Sequence, residues 1–189
     1  MPTPDVGGMF SPQAGSEAPF ETLGACHQRV RRMLRQMQWL RLHLAAIGRD
    51  PQARRAAQDL VCYFDRDVAL HHEDEEIHVF PPLLAAGLCV EPVYRLQREH
   101  REMAGLWPAV RDALQRVDTS RWRRLAPAEE ALLEQFMRLY DWHMAAEDEL
   151  VFPAAASCLD ATALAAVAEE MAHRRGTRRD HGPAGTSLP

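Results

Sequence analysis

The chain has 189 residues, 47% hydrophobic and 26% charged, with a formal net charge of -5. That length suits one domain of ordinary size whose core needs no external staples. The modest acidity argues against nucleic acid as the main partner, because neutralising phosphate needs a basic surface. All 22 basic residues are arginine, which reads as coding bias rather than chemistry. Cys26, Cys62, Cys89 and Cys158 lie far apart with no CxxC pair, so they read as reduced thiols in a helical core rather than a disulfide framework.

Residues 1–19 are rich in Pro, Gly and Ser and read as a flexible segment. They lack the charged stretch and apolar run of a signal peptide or anchor. Beyond them glycine is scarce and the apolar spacing is helical. A first helix is expected over 21–46, closed by the Gly48–Pro51 turn, and a second over 51–84, with Pro51 at the permitted first-turn position and Gly87 as a stop. A third is expected over 92–116, a fourth over 128–155 and a shorter fifth over 161–174, before a flexible tail at 176–189. There is no period-2 strand pattern, and no apolar run approaches the roughly 20 residues of a membrane helix. The expectation is all-α: an up-down antiparallel four-helix bundle over residues 20–175 with a short additional C-terminal helix, in a soluble, cytoplasmic protein with no nucleic-acid and no membrane partner.

One internal similarity turns this architecture towards chemistry. The segment from His71 to Pro81 aligns without gaps on that from His143 to Pro153, sharing the frame His-x-x-x-Glu-acid-x-x-Val-Phe-Pro. Residues four apart share one helix face, so His71 with Glu75, and His143 with Glu147, each aim an imidazole and a carboxylate at one point. Phe64 and Val68, and likewise Phe136 and Tyr140, turn those faces inward. A buried carboxylate beside an imidazole is costly unless a positive charge compensates it, and a metal cation does so. Nitrogen and oxygen donors without thiolate favour iron, manganese or zinc. His27 in the first helix and His100 in the third have apolar neighbours at helical offsets, so each helix contributes one inward histidine.

The order His, His-x-x-x-Glu, His, His-x-x-x-Glu, with its Phe-Pro closures, resembles the hemerythrin-like His–His–Glu cation-binding family over about residues 20–175, including Ala-His-Arg-Arg-Gly at 172–176. The resemblance implies a four-helix bundle holding two iron ions, carboxylate- and oxo- or hydroxo-bridged. His27, His71, His100 and His143 would be terminal ligands, and Glu75 and Glu147 the bridges. Manganese or zinc suit the same donors. The ligand implied is dioxygen, peroxide or nitric oxide, and an exposed bundle face leaves room for a homodimer. The chain departs from the family's oxygen carriers in two ways. Their second third-helix histidine falls on Ala104 here, and their fourth-helix Asp lies five residues after the histidine, whereas Glu147 lies four after His143. Six protein ligands are therefore evident rather than seven, which favours sensing or redox handling, with iron storage also open, over reversible oxygen carriage. Two other classes stay open: a di-iron oxidase or peroxidase, and a metal-stabilised interaction module.

Several residues read as bystanders. His72 and Glu76 repeat the four-residue spacing, but the Phe-Pro register selects His71 and Glu75. Glu73, Asp74 and Glu76 read mainly as solvated, with room for one of them to support a ligand from behind, and His43, His78, His173 and His181 as non-ligating. Trp39, Trp107, Trp122 and Trp142 read as core and interface packing, and Tyr140 as packing near the site.

Overall fold

A computed structural model describes residues 19–119 and 124–180; residues 1–18 of the segment expected to be flexible, Trp122, His181 and the end of the tail lie outside them, while Pro19 of that segment already begins the first helix. Helix α1 is Pro19–Ala46 and α2 is Pro51–Asp74. Asp50 starts α2 by accepting a hydrogen bond from the Ala53 amide at 2.8 Å, a cap for one of the free first-turn donors. The same helical path continues through a π-turn, Glu75–Val79, into α3, Phe80–Ala85. Helix α4 is Val90–Thr119 and α5 is Pro127–Ala146. A second π-turn, Glu147–Val151, leads into α6, Phe152–Cys158, and α7 is Ala161–Asp180. No strand occurs among the described residues, nor is any single helix long and apolar enough to cross a membrane.

The two π-turns follow from the Phe-Pro repeats. Pro81 and Pro153 have no amide hydrogen, and their rings crowd the carbonyl four residues back. The helix widens there: the Phe80 amide bonds to the Glu75 carbonyl and the Phe152 amide to that of Glu147, five residues back in each case. Such single-turn bulges recur at functional sites. Each one here begins at the glutamate of a repeated motif.

Two apolar clusters make the core. Along α1, Leu23 belongs to one cluster and Val30 to the other, with His27 between them. Along α2 the order is reversed: Val68, His71 and Glu75, then Val79. Helix α4 runs Leu96, His100, Met103, and α5 runs Tyr140, His143 and Glu147, then Val151. The alternation makes successive helices antiparallel, with each packed against two neighbours in a ring, α1 on α2, α2 on α4, α4 on α5 and α5 on α1. It also places six buried polar residues, His27, His71, Glu75, His100, His143 and Glu147, in one layer between two apolar plugs.

The C-terminal helix differs from expectation. It continues through Gly176 to Asp180, where a loose tail was expected, and it packs on α1. Arg174 and Arg175 of α7 both reach Asp74, which is 1% exposed and not solvated. Burial raises the Asp74 carboxyl above its usual range despite the two guanidiniums. The tryptophans and cysteines differ as well. Trp142 is 74% exposed and Trp39 41%, so neither is core; Trp107 packs half-buried against Phe64 and Phe136. Cys62 is exposed and the other three cysteines are only half-buried.

Candidate metal centre

The polar layer brings together the four residues singled out by the repeat, His71, Glu75, His143 and Glu147, and the two histidines added to them, His27 and His100. His27, Glu75 and Glu147 are wholly buried, His71 and His143 nearly so, and His100 is 6% exposed. Their donor atoms form two overlapping groups, His27, His71, Glu75 and Glu147 on one side and Glu75, His100, His143 and Glu147 on the other. Within each group all four donor atoms lie within 4.8 Å of one another, and both groups share the two carboxylates.

The carboxylates divide their oxygens between the groups. Oε1 of Glu75 is 3.3 Å from Nε2 of His71 and 3.9 Å from that of His27, while its Oε2 is 3.4 Å from Nε2 of His100. Oε2 of Glu147 is 3.2 Å from Nε2 of His27, and its Oε1 is 3.1 Å from Nε2 of His143 and 3.9 Å from that of His100. Yet all four carboxylate oxygens are buried without a hydrogen-bond partner, as is Nε2 of His27. These atoms are near one another without the alignment of hydrogen bonds. They surround two common centres, which is how donors to shared cations are arranged; unpaired carboxylates at this depth are otherwise very costly. The residues present fit a pair of metal ions.

The second acid and the phenylalanine of the repeated frame serve the neighbouring helices. Asp148 meets Nδ1 of His27 at 2.7 Å, and Glu76 meets Nδ1 of His100 at 3.0 Å. Phe152 stacks on His27 and Phe80 on His100, with ring centres 5.2 and 5.7 Å apart. Thus the second π-turn and the start of α6 steady the histidine of α1, and the first π-turn and the start of α3 that of α4, through the same two motif positions. Glu99, just before His100, holds Nδ1 of His143 at 3.0 Å. These contacts orient each ring so that Nε2 faces the centre, the usual arrangement behind metal-binding imidazoles. Nδ1 of His71 is buried without such a partner. Asp148 is itself gripped by Arg31 at 2.5 Å, and Glu76 by Gln97 at 2.8 Å. Glu76 was expected to be mainly solvated; it stands half-buried behind His100. Asp148 occupies the place five residues after His143, yet it faces the back of His27 while Glu147 points inward.

The electrostatics reflect six titratable groups sharing one dry layer. Burial opposes charge on His143, but Glu147 and Glu99 overcome it and hold its imidazole at about 9. His27 is likewise raised, Asp148 and Glu147 outweighing burial. His71 and His100 are pushed down by burial first. Burial and the nearby Glu147 push Glu75 well above the usual carboxylate range, whereas His143 and His27 keep Glu147 ionised against burial. Protons therefore sit at the positions where cations fit, and cation binding must displace them.

Among the described residues, two further histidines lie apart from these donors and one does not. His43 contacts Asp50 at 3.0 Å and His78 contacts Glu170 at 2.5 Å, both away from the centre. His72 is the exception: a ring nitrogen lies within 4.8 Å of ring nitrogens of His100 and His143. The Phe-Pro register gave no reason to bring it there. Its signal in the sequence is that a helix presents adjacent residues about 100° apart, so His72 borders the face that His71 occupies.

Comparison with known proteins agrees with this layer. Residues 18–155 match the family described as the hemerythrin HHE cation-binding domain. An uncharacterised protein of Haemophilus influenzae is 30% identical over 158 residues, covering 83% of this chain and 90% of that protein. The match spans both repeats and all four bundle helices, and its cation-binding character fits the buried His/Glu groups. The chain belongs to the hemerythrin HHE cation-binding domain family.

Proposed function

We propose that this protein is a non-haem di-iron protein that binds dioxygen, or a related small molecule such as peroxide or nitric oxide, in the bundle core. His27 and His71 hold one ion, His100 and His143 the other, and Glu75 and Glu147 span both. The observation that carries this reading is the division of each carboxylate's two oxygens between the two histidine groups. No cysteine belongs to either group, and imidazole with carboxylate suits iron, as it also suits manganese or zinc. A bound diferrous pair supplies two electrons to a small ligand. The chain itself sets the rest. Four protein donors per position fall short of the about six that octahedral sites take, which leaves room for a small molecule. The apolar clusters on both sides keep bulk water away, and Asp148, Glu76 and Glu99 hold the Nδ1 edges in place. Ala104 adds no donor and is exposed, which favours sensing or redox handling over reversible carriage.

The test is the absorption spectrum of the iron-loaded protein. Near-ultraviolet charge-transfer bands should bleach on anaerobic reduction and return on exposure to air. A reduced, iron-loaded protein that ignores air would sink the oxygen reading and favour a metal-stabilised interaction module, whose helicity depends on the metal alone.

A further inference from the structure

Among the described residues, His72 is a half-buried imidazole beside the proposed ions that does not belong to the six expected donors. Its Nε2 is buried and has no hydrogen-bond partner. The ring lies flat on that of His100, with centres 4.0 Å apart and planes 16° apart. An imidazole donates to a metal in its own ring plane. Two nearly parallel, stacked rings do not both turn an edge to one point, so a His100 aimed at an ion would leave His72 lying over His100 rather than in line with that ion. By contrast, the His100 and His143 rings are inclined at 54° with Nε2 atoms 3.0 Å apart, an arrangement that converges on one centre.

His72 also forms the inner wall of a pocket of about 220 Å³. Asp65, Ala69 and Ala104 line it and are exposed, whereas Phe64, Met103 and Tyr140 line it and are buried. The pocket therefore leads from the surface, past mainly apolar walls, to an imidazole with a ring nitrogen within 4.8 Å of ring nitrogens of His100 and His143. Small, weakly hydrated molecules suit such walls; large or highly charged ones do not.

We propose that His72 is not a metal ligand but the hydrogen-bonding partner of a small exogenous molecule bound at the His100–His143 side, reached through this pocket. A neutral imidazole carrying its proton on Nε2 donates to an acceptor atom of that molecule, and the stack on His100 fixes the donor's position. This inference rests on the di-iron reading.

The probe is azide added to the oxidised, iron-loaded protein, followed by its charge-transfer band. His72→Phe keeps the ring and its stack but removes the donor. It should retain two irons per chain and weaken azide binding by about ten- to a hundredfold, the usual worth of a hydrogen bond to a charged group. His72→Gln, which restores an N–H, should recover part of that loss. Ala104→Trp, at the pocket mouth, should slow azide association at least about tenfold while leaving its dissociation constant within about twofold, because a mouth obstructs both directions. If the phenylalanine ring does not fit, His72→Ala with wild-type helicity takes its place. Loss of one iron from a folded His72 variant would overturn the proposal by making His72 a ligand. Unchanged azide affinity at full iron content would overturn it by removing the contact. Failure of the wild-type protein to hold iron would instead overturn the di-iron reading beneath it.

Discussion

Asp148 meets the Nδ1 edge of His27 at 2.7 Å across 121 residues of sequence, one position beyond the glutamate that faces the opposite edge of the same ring. The α5 repeat thus supplies both a candidate metal donor and the group that aims another helix's histidine at the metal. Asp148→Asn should leave the fold intact and weaken metal binding by about ten- to a hundredfold, the cost typical of losing an orienting carboxylate. Competition against a chromophoric chelator measures it. Arg31→Ala, which only loosens Asp148, should cost less.

Because the carboxylates serve both positions and each histidine serves one, the variants should fall into two groups. Glu75→Gln or Glu147→Gln should weaken both ions together and give a protein with close to none. His71→Ala or His143→Ala should spare the opposite ion and leave about one per chain. Elemental analysis of each variant after equal loading distinguishes them. Equal losses across all four would mean the carboxylates are not shared.

Acidity should act in opposite senses on the metal-free and loaded forms. His143 titrates at about 9 in the folded chain, above the ordinary 6.5. A raised imidazole stabilises the fold fully below its unfolded value and loses that contribution as pH rises through its folded value. The metal-free protein should therefore lose thermal stability between about pH 6.5 and 9, by a few degrees. Metal affinity should rise over the same window, by up to about tenfold per pH unit for each proton displaced. Melting curves with chelator and with iron, at several pH values, check both signs. A metal-free melting temperature that rises from pH 6.5 to 9 would contradict the proton placement.

The arginine pair of α7 locks the C-terminal helix to the bundle through Asp74. Removing both guanidiniums in an Arg174→Ala, Arg175→Ala variant leaves a carboxylate at 1% exposure without its counter-charges. A loss of about 3–5 kcal/mol in urea unfolding is expected, the cost of breaking a buried pair from one side. Asp74→Asn in that background should recover part of it.

How much of this was legible in the sequence depends on what kind of signal each residue leaves. The four bundle helices follow from apolar spacing and from Gly48, Pro51 and Gly87, with ends within three residues of those expected. Four core donors, His71, Glu75, His143 and Glu147, follow from a repeat in fixed register with Phe-Pro, and His27 and His100 from apolar neighbours at helical offsets. The π-turns were not legible as such, although Pro81 and Pro153 are their cause, because a proline can equally kink or end a helix. Glu76 and Asp148 look like ordinary solvated acids in one dimension, since their partners His100 and His27 come from other helices. Asp74 is in the same position: its burial is decided by α7 arriving a hundred residues later. His72 was set aside by register, and only the crossing of α2, α4 and α5 brings its ring over His100.

The measurement that bears most directly on the centre is anaerobic titration of metal-free protein with ferrous iron, read by elemental analysis and by electron paramagnetic resonance of the half-oxidised sample. Two irons per chain, with a signal from a spin-coupled mixed-valence pair, is the expected result. One iron per chain, or two that give only the signal of isolated high-spin ferric ions, would contradict carboxylate bridging by Glu75 and Glu147.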